Sequence, residues 1–279
     1  MGRKRKKQQT EECGNEEVNL QGHETHNSGE PETKTLTRLD TELTRRGLAP
    51  TRSRAREIIK SGHVFVNGNK IEKPAQTVTA SAVITLSDQA LVHVSRGALK
   101  LRHALEVFDL NAKGKLVLDI GASTGGFTEV LLEQGAAHVY AVDVGHGQLH
   151  EKLQADERVT SLEGRDARSL HAEEFAAAPT ALTIDVSFIS LEKALSHPLT
   201  LMADQSWLVA LIKPQFEVGP EGLNKKGVVK NEELGAQSIE RMKLWLEAQQ
   251  GWSLIGLTPS PIKGHAGNQE MLIAAVKNG

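Results

Sequence analysis

Seven short apolar runs divide the chain between residues 115 and 277, at 116–120, 138–142, 158–162, 181–185, 206–212, 253–259 and 270–276. Runs this short, bounded by glycine and small polar residues, read as buried strands rather than helices. Between them apolar residues recur at helical spacing. Thr128-Glu129-Val130-Leu131-Leu132-Glu133 is one such stretch. Another runs from Ser238 to Gln250, where Ile239, Met242, Trp245 and Leu246 share a face. A further helix is expected from Ser95 to about Val107. Alternating strands and helices predict an α/β domain with a doubly wound, mostly parallel sheet. Ligands of such sheets sit beyond the carboxyl ends of the strands, so the residues just after each run are where chemistry is sought.

The pattern upstream is different. Leu36, Leu39, Leu43 and Leu48 mark one face of a short helix, with Gly47 at its C-terminal cap and Pro50 breaking the chain. Thr51 or Ser53 caps a second helix from Arg52 to Ser61 that ends at Gly62. His63 to Ile71 then reads as a hairpin turning at Asn67-Gly68. Residues 35–94 thus form a small α+β module with its exit segment, and residues 95–279 the α/β domain. Residues 1–34 hold almost no large apolar side chain and are expected to be a disordered polar tail.

Composition narrows the class. Hydrophobic residues are 39% and charged residues 24% of the 279, ordinary for a soluble globular protein. One cysteine, Cys13, excludes a disulfide framework and a cysteine-held zinc and suits a reducing cytoplasm; no apolar leader or span is found, and a monomer is expected. The net charge of −2 conceals a local imbalance. Between residues 35 and 80 nine Lys or Arg face four acids. Arg52, Arg56 and Lys60 lie four apart on one helix face, which is the footprint of phosphate binding; an ordinary solvated helix face is the plainer reading. The basic run Arg3 to Lys7 invites the same pair of readings.

The first strand of the α/β domain ends in Asp119-Ile120-Gly121-Ala122-Ser123-Thr124-Gly125-Gly126-Phe127. Glycines between a strand and a helix let the backbone approach a ligand. The spacing departs from the dinucleotide fingerprint Gly-x-Gly-x-x-Gly and resembles the first motif of methyltransferases that use S-adenosyl-L-methionine (AdoMet). A plain strand-to-helix turn is the alternative. Asp143, some 20 residues on at the end of the next strand, is placed to accept a cofactor ribose. Asp119 sits beside the loop, and Asp166, after the third strand, suits an adenine amino group; either could instead be a capping acid. Asp185 leaves the fourth strand toward the same edge. No Pro-Pro follows it, which argues against an amino nucleophile, and no cysteine is available for attack on a pyrimidine carbon. An oxygen nucleophile remains, and it needs a base. Lys213, after an apolar strand and partly desolvated, can serve as one. The Gly-rich charged stretch 217–227 reads as a mobile loop over a substrate or as plain surface.

Together these residues resemble the TlyA-type ribosomal RNA methyltransferases, an S4 RNA-binding domain fused to an FtsJ-like domain. The resemblance rests on Arg38-Leu39-Asp40, Ser53-Arg54-Ala55-Arg56, Ser95-Arg96-Gly97-x-Leu99-Lys100, the Asp119 to Phe127 loop, Asp185-Val186-Ser187-Phe188, Lys213-Pro214-Gln215-Phe216-Glu217 and Gly267-Asn268-x-Glu270. It implies a Rossmann-like fold that binds AdoMet through Asp119, Gly121, Ser123, Thr124, Gly125, Gly126, Phe127, Asp143 and Asp166. It implies a catalytic tetrad of Lys100, Asp185, Lys213 and Glu270, with Lys213 as base and no metal. The partner it implies is ribosomal RNA, contacted by Arg38, Arg52, Arg54, Arg56, Lys60, Arg96, Lys225 and Lys226, and methylated on a cytidine 2′-oxygen of 16S or 23S rRNA or both. Phe188 would stack on the target base or belong to the core. The rival readings are an S4-type ribosome-binding protein without catalysis, a nicotinamide dehydrogenase, and a haemolysin, for which no membrane-seeking segment is found.

Overall fold

The computed structural model describes residues 36–49, 51–87, 94–264 and 267–278. The polar tail, its basic run and Cys13 lie outside the described residues.

The upstream module begins with a three-residue strand, β1 (Leu36–Arg38), followed directly by helix α1 (Leu39–Arg45). Leu36 therefore belongs to a strand and is 60% exposed, not to the helix face its spacing suggested. Its backbone pairs antiparallel with β4 (Thr77–Thr79). Helix α2 (Arg52–Lys60) is capped by Thr51, whose Oγ1 accepts from Arg54 N at 3.2 Å. Strands β2 (Val64–Val66) and β3 (Asn69–Ile71) turn through Asn67-Gly68, both left-handed, and β2 also pairs with β5 (Ile84–Leu86). Leu39, Leu43, Ala55, Ile59 and Val64 are fully buried between helices and strands. Each large member contributes about 1.5–3 kcal/mol by leaving water.

The α/β part opens with helix α3 (Gly97–Val107). Strands β6 (Leu116–Ile120), β7 (His138–Asp143), β8 (Val159–Glu163), β9 (Ala181–Ile184), β10 (Trp207–Ile212), β11 (Trp252–Pro259) and β12 (Met271–Lys277) follow. They form one sheet in the order β11-β12-β10-β9-β6-β7-β8. The five strands from β10 to β8 are parallel, β12 runs antiparallel to them, and β11, antiparallel to β12, runs in their direction again at the edge. The predicted strands and the observed ones agree to within one residue. Helix α4 (Gly126–Glu133) follows β6, and α5 (Glu151–Gln154), α6 (Leu191–Leu195), α7 (Pro198–Leu201) and α8 (Glu232–Glu247) complete the set used below. Apolar side chains pack on both faces, with Leu131, Val130 and Leu101 on one and Leu195, Met242 and Leu246 on the other. Among the described residues no helix is long and apolar enough to cross a membrane.

The strand order reverses beside β6. The chain steps from β6 to β7 and β8 on one side, then returns to place β9 on the other. The crevice above the β6/β9 pair is thus the switch point at which open α/β sheets bind ligands.

Candidate active site

Two loops meet at this switch point. Gly121, immediately after β6, has φ +78°, and a Cβ there would lie 2.5 Å from the backbone oxygen of Asp185. The loop after β6 can approach the exit of β9 only because residue 121 has no side chain. Gly125, φ +97°, turns the chain into α4, and a Cβ on Gly126 would collide with Ser95 Oγ. Asp143, at the end of β7, accepts Ser123 N–H at 2.8 Å on one oxygen and Gly145 N–H at 2.7 Å on the other. The loop and the acid predicted to hold the cofactor are therefore one hydrogen-bonded unit. Ser123 is exposed and Thr124 half-buried at its rim.

Three of the expected cofactor residues stand differently. Asp119 is buried beneath the loop, and its two oxygens accept from Thr128 Oγ1 at 2.7 Å and Thr183 Oγ1 at 2.8 Å. It fastens α4 and β9 to β6 rather than facing a ligand. Burial pushes its carboxyl up to about 6, against the two threonine hydrogen bonds. Phe127 is 4% exposed and packs in the core under α3 and α4. Asp166 is partly exposed, and its two oxygens accept from the Arg168 guanidinium, at 2.6 and 2.9 Å, which keeps the carboxyl low.

Lys100, Asp185, Lys213 and Glu270 come from four distant parts of the chain and form one chain of charges. Lys213 Nζ is 2.6 Å from Asp185 Oδ1, Lys100 Nζ is 3.7 Å from Asp185 Oδ2, and Lys100 Nζ donates to Glu270 Oε2 at 2.7 Å. Burial would raise Asp185, but the two ammonium groups outweigh it and hold its carboxyl below the usual range. Two cations and two anions leave the group neutral overall, which is what a partly dry crevice tolerates. Asp185 and Lys213 directly follow buried strands and Glu270 directly precedes one, while Lys100 comes from the first turn of α3.

Several neighbours carried no assigned role in the sequence. Ser187 Oγ accepts from Lys213 Nζ at 2.9 Å, and Gln215 Nε2 lies 3.5 Å from Glu270 Oε1. Among the described residues the Gln215 Oε1 is buried with no partner. Glu217 accepts Leu191 N–H at 2.7 Å, joining the loop after β10 to the start of α6. Asn268, 4% exposed, accepts Val229 N–H and donates to Gly227 O, each at 3.0 Å, so the 217–230 segment is pinned next to the site. Only the repeated small motifs around Lys213 and Glu270 hinted at these partners.

Phe188 settles between its two readings. It is 91% exposed, adopts φ +66°, and tilts against Phe216 with ring centres 5.1 Å apart. An aromatic residue held left-handed and in water marks a strained, outward-facing position, not a core one.

On the upstream module Arg38, Arg52 and Arg56 all reach the carboxylate of Asp40, itself fully buried. Arg54 is only 8% exposed, since two residues along a helix from Arg52 is nearly the opposite face; it is not part of the exposed stripe. Lys60 is exposed one turn beyond Arg56. Arg96 is half-buried where α3 begins, and Lys225 and Lys226 are exposed on the pinned loop.

A parallel sheet with a glycine loop at its switch point and a Lys-Asp-Lys-Glu chain across it, preceded by a basic α+β module, defines a Rossmann-like methyltransferase with an S4-type RNA-binding domain. The FtsJ-like methyltransferase profile matches residues 93–277 and the S4 domain profile residues 37–84. The chain belongs to the TlyA family of S4-bearing, FtsJ-like methyltransferases. The 16S/23S rRNA (cytidine-2′-O)-methyltransferase TlyA of Mycobacterium tuberculosis is 43% identical over 85% of this chain and 88% of its own. The 23S rRNA (cytidine-2′-O)-methyltransferase TlyA of Campylobacter jejuni is 34% identical over 82% and 95%. A Streptococcus thermophilus structure described as a candidate hemolysin superposes with a TM-score of 0.69 at 39% identity, covering 87% of this chain and 89% of that one.

Proposed function

We propose that this enzyme transfers a methyl group from AdoMet to the 2′-oxygen of a cytidine in 16S rRNA, 23S rRNA or both, acting as a cytoplasmic monomer. In this reading residues 35–94 dock on RNA, residues 95–279 perform the transfer, and 1–34 form a polar tail. The observation that carries the reading is the unbroken contact from Lys213 through Asp185 and Lys100 to Glu270, set across the crevice from the glycine loop. A binding protein without catalysis has no need to bury two ion pairs at the mouth of a ligand crevice, where each must overcome desolvation.

The loop from Gly121 to Gly126 and the Asp143 carboxylate would hold AdoMet: the three glycines keep side chains out of the turn, and each Asp143 oxygen accepts one backbone N–H, from Ser123 or Gly145, and retains a further lone pair. When bound, AdoMet supplies a methyl group already activated by its sulfonium charge. The protein's own work is alignment and proton removal. Lys213 takes the proton of the 2′-hydroxyl as the oxygen attacks. Its Nζ donates to Ser187 and lies 2.6 Å from Asp185 Oδ1. Asp185 fixes its direction. Lys100, held by Glu270, balances Asp185 so that its carboxylate does not hold the Lys213 proton alone. Phe188, exposed beside Phe216, offers a face for a base turned out of folded RNA.

The test is methylation of separated ribosomal subunits, taken from a strain lacking the gene, with labelled AdoMet and mass spectrometry of the digested RNA. A 2′-O-methylcytidine is expected. Lys213→Ala should lower the single-turnover rate by about 10²–10⁴, the range for losing a general base, with AdoMet affinity retained. Methylation elsewhere than a 2′-oxygen, or a Lys213→Ala variant of unchanged rate, would overturn the assignment.

A further inference from the structure

We propose that Asp40 is a positioning residue that gathers Arg38, Arg52 and Arg56 into a single site for one RNA backbone phosphate. The proposal rests on the RNA-binding reading of the upstream module.

Asp40 is fully buried, yet its carboxylate meets three guanidinium groups. Arg38 grips it with two donors, Nε to Oδ1 at 3.0 Å and Nη2 to Oδ2 at 2.9 Å. Arg56 gives Nε to Oδ2 at 3.1 Å. Arg52 lies across both oxygens, its Nε 3.3 Å from Oδ2 and its Nη2 3.5 Å from Oδ1. The hydrogen bond from Arg38, opposed by burial and aided by Arg56 and Arg52, holds the carboxyl far below its ordinary range, so the acid stays ionised.

One arginine is enough to neutralise one buried carboxylate. Three leave a surplus of two positive charges at one point. The surplus is presented, because the three arginine side chains remain 44%, 48% and 48% exposed while the acid beneath is covered. Each guanidinium has five donors, and Asp40 uses no more than two of any of them. The unused edges are held by a common anchor, so a phosphate meets preorganised forks and orders few side chains on binding. The neighbouring acid behaves otherwise. Glu42 also holds two arginines, but Arg46 spends its remaining donors on the carbonyl oxygens of Ala82 and Ala80 and so serves the module's own fold. Nor are Arg38, Arg52 and Arg56 needed to join α1 to α2, which already meet through Leu39, Leu43, Ala55 and Ile59.

The prediction has a sign that simple charge counting reverses. Asp40→Asn removes a negative charge from an RNA-binding surface, so charge alone predicts tighter binding and a steeper salt dependence. A positioning role predicts that the full-length variant binds ribosomal subunits at least tenfold more weakly, with a shallower slope of log K against log salt. The melting temperature should fall as the three arginines lose their buried carboxylate, while AdoMet binding should stay as in the wild type. The double variant Arg52→Lys/Arg56→Lys keeps every charge and is the control should Asp40→Asn fail to fold; it too should lose about tenfold, through the missing forks. Arginine Nε–H resonances of Arg38, Arg52 and Arg56 should shift with millimolar inorganic phosphate in the wild type and not in Asp40→Asn. Equal or tighter subunit binding by Asp40→Asn, or unchanged binding by the lysine pair, would sink the proposal. A wild type whose three arginines answer to phosphate but which binds no subunit would uphold the clamp and remove the ribosomal reading instead.

Discussion

Replacing Lys100 by methionine separates what the tetrad does for the fold from what it does for chemistry. The lysine side chain is 10% exposed, and it alone stands between Asp185 and Glu270, at 3.7 and 2.7 Å. Methionine fills similar space but leaves Glu270, 3% exposed, with no cation beside it. Removing one partner of a buried pair costs about 3–5 kcal/mol, because the remaining charge keeps its desolvation penalty and loses its compensation. Lys100→Met should therefore be destabilised by that amount at neutral pH. The double variant Lys100→Met/Glu270→Leu carries neither charge and should lie within about 1 kcal/mol of the wild type, as apolar replacement of a whole buried pair often does. Methyl transfer should remain lost in both. Urea unfolding followed by tryptophan fluorescence reads the relevant half of the chain, since Trp207, Trp245 and Trp252 all belong to the α/β part. A single variant that loses less than 1 kcal/mol would show that the pair is effectively solvated. A double variant that regains activity would show that Lys100 and Glu270 serve only the fold.

Two other substitutions probe the crevice. Gly121→Ala combines a left-handed backbone, costing about 1–2 kcal/mol for a residue with a Cβ, with a contact of 2.5 Å to the Asp185 oxygen. Displacement of Asp185 by even part of an ångström should lower the transfer rate at least tenfold, and single-turnover kinetics beside AdoMet titration would read both effects. Asp119 titrates at about 6 in the folded protein against 3.8 for the ordinary group, so the folded state holds this proton more tightly than the unfolded one. Its stabilising contribution is complete below pH 3.8 and is lost as pH rises through about 6, a change of about 3 kcal/mol at ~1.4 kcal/mol per unit. Asp119→Asn should flatten that decline in urea midpoints between pH 4 and 6, and an identical slope in variant and wild type would refute the assignment.

What the sequence disclosed depended on how local each cause was. Buried parallel strands are continuous apolar runs with abrupt ends, so their limits were legible. Leu36 was misplaced because its spacing to Leu39 and Leu43 fits a helix, while its pairing is with Thr79, far along the chain. Arg54 and Asp119 carry chemical groups suited to ligands, but tertiary packing buries one and satisfies the other. The tetrad could not have been found from spacing, because Lys100 and Glu270 are 170 residues apart; only the family resemblance joined them. Phe188 was undecidable from composition, since its exposure follows from one left-handed backbone angle.

The arrangement also limits where substrate selection can reside. Around the tetrad the loop acids and amides are already committed. Glu217 holds Leu191 N–H and Asn268 holds the 227–229 segment. The four tetrad groups are themselves in contact with one another, so they present a fixed surface of ribose scale. A 2′-hydroxyl is the same on every ribonucleotide. A rigid set of groups that reads only this hydroxyl has no means of telling cytidine from uridine, or one position of an RNA from another. Discrimination must then come from side chains that reach a base or the surrounding backbone. Phe188 is exposed, and an aromatic ring that stacked there would accept any base face alike. In the proposed reaction the choice of nucleotide would depend on which one the folded RNA delivers, and that delivery would fall to the basic module and its presented arginines.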